Sequence, residues 1–226
     1  MQQETHSGPP RFPDAPANIK ALPIDHRGYP VPYFVAWVDG KPDHRVIDAA
    51  KLLPAIQKRL CWICGQRLGT YLAFAIGPMC AITRTTSEPP SHRECAEFAV
   101  KACPFIAIPA KARRDKHMPD DVHEPAGICL MRNPGAIALW ICKGFQHFNV
   151  GNGLLFEVGP PTDVHWYAEG RRATRAEVEQ SIAGGLPNLI ELARQEGKLA
   201  LLELHEKLAI ANRLLPPAER DAGATP

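Results

Sequence analysis

Apolar residues arrive in short bursts over the first half of the chain. Pro32-Tyr33-Phe34-Val35-Ala36-Trp37-Val38 is rich in β-formers, Asp39-Gly40 is a strong turn signal, and Arg45-Val46-Ile47 returns. That pattern predicts a β-hairpin. Asp48 then fits the N-cap of a helix carrying Ala49, Leu52, Leu53, Ile56 and Leu60, with Pro54 delaying its start. Tyr71 to Ile76 and Met79 to Ile82 read as two strands joined by a turn at Gly77-Pro78. After Pro89-Pro90, Ser91 and Glu94 stand three apart, the spacing of a capping box, so a helix is expected to open there.

The second half repeats the β pattern and then changes period. Ile128 to Met131, Ala136 to Cys142, Phe145 to Val150, Leu154 to Val158 and Val164 to Tyr167 are apolar runs parted by Gly, Asn or Pro. They predict a small antiparallel sheet, with Gly151-Asn152-Gly153 as a hairpin turn. From Thr174, which with Glu177 forms a second capping box, the spacing is helical. One helix should stop at Gly184-Gly185, a second should start at Pro187 and end near Gly197, and a third should run from Lys198 to Leu214. Leu199, Leu202, Leu208 and Ala209 give that last helix an apolar face, which is expected to pack on the sheet or to meet a partner.

The resulting fold class is α+β. Residues 1 to 18, with Pro9, Pro10, Pro13 and Pro16, read as a disordered tail, and 217 to 226 as another. Between them lie a hairpin, helix and metal module over 19–106, a loop or linker over 107–127, and the sheet with its C-terminal helices over 128–216. The 226 residues carry a net charge of +2, too balanced for binding nucleic acid through the overall field. Any such surface has to be local. Met1 to Pro16 lacks the apolar core of a signal peptide, and no apolar run approaches a membrane span. A cytoplasmic location is expected, in which the seven cysteines stay reduced.

Chemistry concentrates between Cys61 and Cys103. Cys61-Trp62-Ile63-Cys64-Gly65 is a CxxCG knuckle that can aim two sulfurs at one ion, with Gly65 where the backbone bends. His92 and Cys95 stand at i and i+3, on one face of a first helical turn. Cys61, Cys64, His92 and Cys95 thus form a four-ligand set for tetrahedral Zn2+. The alternatives are that the cysteines are buried small apolar residues, or that Cys80 replaces His92. Cys103, eight residues beyond Cys95 on one helix, is about 12 Å away and is expected to pack in the core. Knuckle, hairpin and helix in this order resemble a treble-clef zinc finger over roughly residues 58–104. The blocks Cys61-Trp62-Ile63-Cys64-Gly65, Gly77-Pro78-Met79-Cys80, Ser87-Glu88-Pro89-Pro90-Ser91-His92, Cys103-Pro104-Phe105 and Gly170-Arg171-Arg172-Ala173-Thr174-Arg175-Ala176-Glu177-Val178 also resemble an uncharacterised family of phage and bacterial proteins, which implies no activity.

With four protein ligands the zinc is expected to be structural, because catalytic zinc keeps an open position. Neither a GxSxG elbow nor an HExxH helix occurs. The expected function is a zinc-stabilised binding protein, of a phage-type accessory kind. Its partner is nucleic acid, through Arg67, Arg84, Arg93, Lys101, Arg113 and Arg114, or a protein, through Trp62, Phe74 and the last helix. The alternative is a metal-dependent nuclease or other hydrolase using His147, Asn149, Glu157, Asp163 and His165. The polar residues His26, Arg27, Tyr29, Asp43, His44 and Arg45 bracket the first hairpin and read as a solvated loop surface.

Overall fold

The computed structural model describes residues 11–108, 112, 133–151 and 153–218. The expected strand at Ile128–Met131, the basic run from Lys111 to His117 apart from Ala112, and residues 219–226 lie outside them. Within them, α1 (Ala17–Lys20) leads to the hairpin of β1 (Val35–Val38) and β2 (Lys41–Ile47). Asp39 and Gly40 have φ of 49° and 76°, so both central turn residues are left-handed, as a type I′ turn requires. Asp48 accepts a hydrogen bond from the Ala50 N–H and caps a 3₁₀ turn that runs into α2 (Leu52–Gln57). Residues 11–18 differ from the expected disorder: Ala15 is buried, and the Phe12 ring meets Phe98 edge-on at 5.2 Å.

β3 (Leu72–Ile76) forms where expected, but its partner strand does not. Met79 to Ile82 belongs to a helix, α3 (Pro78–Thr83). Pro78 occupies its first turn, where the fixed φ suits a helix and the missing N–H costs nothing. β4 (Thr85–Thr86) follows, and then α4 (Arg93–Ala102) and α5 (Pro104–Ala107). The capping box at Ser91 does not form either. Ser91 exchanges two backbone hydrogen bonds with Ala73 on β3, at 2.9 and 2.8 Å, so it is held as extended chain and His92 becomes the N-cap of α4.

The strands β5 (Ile137–Cys142), β6 (Phe145–Val150), β7 (Gly153–Val158), β8 (Pro161–Ala168) and β9 (Arg171–Arg172) complete two sheets. Their orders are β3-β5-β8-β9 and β4-β7-β6, all antiparallel. The sheet of the second half therefore recruits β3 and β4 from the first. With β3 and β4 in different sheets, the hairpin on which the treble-clef resemblance rested is missing between the knuckle and α4. β5 is buried along its whole length, with α4 against β3 and β5 and α3 against β5. Trp140, Phe74, Phe156 and Tyr167 fill this core. Trp140 donates its indole N–H to the Gly159 carbonyl at 2.9 Å.

α6 (Arg175–Glu196) opens with the expected capping box of Thr174 and Glu177 but runs straight through Gly184, Gly185 and Pro187. Gly185 serves packing rather than termination: a Cβ there would lie 2.9 Å from Met79 Cγ of α3. α7 (Lys198–Asn212) packs mainly on α6 and α3, where burial on the sheet or contact with a partner was expected. Leu204 and Ala211 join Ile82 and Ala193 in a second, smaller core, while Leu199, Leu202 and Ile210 face outward. Among the described residues no helix is long and apolar enough to cross a membrane.

Candidate metal centre

The knuckle is a tight loop closed by its own backbone. Leu60 and Arg67 form a bridge, the Cys61 N–H donates to the Gln66 carbonyl at 2.7 Å, and the Gly65 N–H donates to the Cys61 carbonyl at 2.8 Å. Gly65 has φ of 71°, a left-handed value that favours glycine. A second constraint acts on it: a Cβ would sit 2.8 Å from Tyr33 Cδ2. Tyr33 is fixed there by its N–H bond to the Ile63 carbonyl at 2.7 Å, so the first hairpin braces the knuckle. Trp62 stacks on Phe34 from the same side, with centroids 5.5 Å apart.

Two contacts bring the start of α4 to this loop. The Trp62 N–H donates to the Pro90 carbonyl at 3.1 Å, and Ser91 pairs with Ala73. Cys61, Cys64, His92 and Cys95 consequently converge, with one ligand atom from each lying within 4.8 Å of the others. This cluster could hold a metal ion. Cys61 and Cys95 are fully buried, and Cys64 and His92 are half-buried at the open side.

Hydrogen bonds orient the donors. The N–H groups of Cys64 and His92 both reach Cys61 Sγ at 3.4 Å. The ring of His92 places Nε2 3.0 Å from the Arg67 carbonyl. A carbonyl only accepts, so in the neutral ring Nε2 carries the hydrogen and Nδ1 keeps its lone pair. Nδ1 is the atom facing the sulfurs, 3.3 Å from Cys64 Sγ and 3.8 Å from Cys95 Sγ. The imidazole is thus set in the tautomer that ligates through Nδ1.

The three thiols also compete for charge. Hydrogen bonds from the Cys64 and Cys95 thiols hold the Cys61 thiol far below its ordinary value. That thiolate in turn pushes Cys64 up to about 11 and drives Cys95 strongly upward. A divalent cation held among the sulfurs would offset their mutual repulsion and favour their ionised forms. Three cysteine sulfurs and one imidazole nitrogen within 4.8 Å of one another are compatible with zinc binding.

The other sequence candidates lie elsewhere. Cys80 sits on α3 and Cys103 at the end of α4, both outside the cluster. Arg67 is exposed, and its backbone carbonyl, invisible to a reading of side chains, is what serves the site. Arg84 terminates α3 in a left-handed conformation and donates twice to the Val158 carbonyl, at 2.9 and 2.7 Å. Arg93 lies 3.0 Å from His165 Nε2 and 3.6 Å from Asp163. Lys101 pairs with Glu97 at 2.8 Å and lies over the Tyr167 ring. Arg113 and Arg114 are outside the described residues. Of the possible catalytic set, Asp163 and His165 meet on β8 at 2.6 Å, whereas His147, Asn149 and Glu157 belong to β6 and β7 in the other sheet. The loop cluster around the first hairpin is organised by Asp25, a buried residue the sequence did not single out. It accepts from the N–H groups of Arg27 and Tyr29 and from the Arg27 guanidinium.

Comparison with family models, with curated proteins and with solved structures finds no match. The resemblance to a phage and bacterial family rests on the sequence blocks alone.

Proposed function

We propose that this protein is a zinc-stabilised binding protein in which Cys61, Cys64, His92 and Cys95 hold one structural Zn2+. The observation that carries this reading is the closed donor set. Four protein ligands would fill a tetrahedral shell and leave no position for the water that zinc catalysis needs. The ion would tie the knuckle to the first turn of α4, and its binding free energy would become folding free energy for the elements it joins. This chain's residues supply the rest: N–H bonds that steady the Cys61 sulfur, and a carbonyl that fixes the His92 tautomer.

A protein is the favoured partner. Among the described candidates, Arg84, Arg93 and Lys101 already serve groups of this chain, which weakens the case for phosphate recognition through them. The apolar residues Leu199, Leu202 and Ile210 on α7 are suited to a protein surface instead. The hydrolase alternative draws no support from a candidate set divided between two sheets.

Metal analysis of the purified chain tests the zinc reading, with one zinc per chain expected. Anisotropy of labelled single- and double-stranded oligonucleotides tests the partner. Weak binding is expected, and tight binding that collapses with added salt would reverse the preference for protein.

A further inference from the structure

β6 is an edge strand, and every residue from Gln146 to Val150 is exposed. Its pairing with β7 is unbroken from Phe145↔Val158 to Val150↔Gly153. Natural proteins blunt such edges with charge, proline or a bulge. β6 has none of these: between Phe145 and Val150 there is no Asp, Glu, Lys, Arg or Pro, and the register contains no bulge.

The backbone direction follows from one bond. The Val158 N–H donates to the Arg84 carbonyl on the β4 side of β7. Backbone groups alternate along a strand, so Gly153, Leu155 and Glu157 bond β6. Their register partners Val150, Phe148 and Gln146 are therefore satisfied. Phe145, His147 and Asn149 aim their N–H and C=O groups at the open edge.

We propose that this edge pairs, antiparallel, with the same edge of a second copy about a two-fold axis at Phe148. Strand addition at a free edge supplies backbone hydrogen bonds, and two-fold pairing requires a self-complementary surface. β6 meets that requirement. Phe148 faces its own copy, His147 faces Asn149, Gln146 faces Val150, and Lys143 beyond the strand faces Gly153. No like charges meet. On one face Leu155, opposite Phe148 in the register, extends the aromatic pair into a four-residue apolar row across the joined sheets. The order becomes β4-β7-β6-β6-β7-β4. A charged peptide is the poorer occupant, because the neutral strand gives it no counter-charge.

Sedimentation equilibrium of the full chain tests this, together with hydrogen exchange at low and high protein concentration. A reversible dimer is expected. Phe148→Lys sets two ammonium groups face to face and raises the dissociation constant at least about tenfold. Leu53→Lys, at a position 55% exposed on α2, leaves it unchanged. In the unsubstituted chain, exchange at His147 and Asn149 slows as concentration rises, while Gln146 and Phe148 are already protected. A chain that stays monomeric at every concentration, a dimer indifferent to Phe148→Lys, or a dimer without new protection at His147 and Asn149 overturns the proposal.

Discussion

Gly65→Ala separates two costs that meet at the knuckle. The first is the left-handed backbone, φ 71°, which costs a residue with a Cβ about 1–2 kcal/mol. The second is contact: the new carbon lies 2.8 Å from Tyr33 Cδ2 and 3.1 Å from Cγ, an overpacking of a kind that costs about 1–3 kcal/mol. Alanine also lowers the entropy of the unfolded chain, returning about 0.4–1 kcal/mol. Gly151→Ala supplies the reference. Gly151 has φ of 55° but nothing within 4 Å of its would-be Cβ, so only the backbone cost applies. Gly65→Ala should therefore be the worse of the two by about 1–3 kcal/mol, or about 2–12 °C in Tm for a chain of this size. Denaturant unfolding of both variants, at equal zinc, measures the difference. Placing Gly65→Ala in a Tyr33→Ala background should remove the contact cost and leave the backbone cost. Equal destabilisation by Gly65→Ala and Gly151→Ala would mean that Tyr33 does not brace the knuckle.

Three further outcomes follow from other parts of the molecule. In α6, Gly184→Ala meets open space and should gain about 1 kcal/mol of helix propensity, whereas Gly185→Ala should gain less because it displaces Met79; a loss at Gly184 would argue that the helix breaks there. Cys95→Ser should release the metal and Cys103→Ser should retain it, so equal metal content in the two variants would refute the ligand set. Acid should destabilise the first hairpin in two stages. Burial lowers the His44 value, against partial compensation from Asp25, so its contribution is complete above about pH 6.5 and is lost as pH falls through the depressed folded value. Burial works to raise Asp25, but the Tyr29 and Arg27 N–H groups and the guanidinium overcome it and hold the carboxyl low. Its contribution is complete above about pH 4 and is lost on further acidification. Denaturant midpoints against pH for His44→Gln and Asp25→Asn, each subtracted from the unsubstituted chain, should isolate the two stages; flat difference curves would contradict the assignment.

What could be read in the sequence was local. The grouping of Cys61, Cys64, His92 and Cys95 follows from spacings of three residues within each pair, and the β1–β2 turn from Asp39-Gly40. The Thr174–Glu177 box likewise needs only four residues. What failed depended on partners far away. Gly77-Pro78 is equally good as a turn or as a helix start, and the choice fell to α3 because Ala81 and Ile82 bury against the core. Ser91 has the chemistry of a cap, but its backbone is claimed by Ala73. Gly184-Gly185 looks like a stop until Met79 supplies a packing reason for Gly185. The pairing of β3 with β5 joins Leu72 to Cys142, across a stretch that no local pattern spans. The Arg67 carbonyl beside His92 is backbone, and no residue type announces it.

X-ray absorption at the zinc edge of the purified 226-residue chain tests the metal centre most directly. The account predicts one zinc with three sulfurs at about 2.3 Å and one imidazole nitrogen at about 2.0–2.1 Å. A site with a water or carboxylate oxygen in the shell would contradict a closed structural centre, four sulfurs would contradict His92 as a ligand, and a chain that binds no zinc would remove the centre altogether.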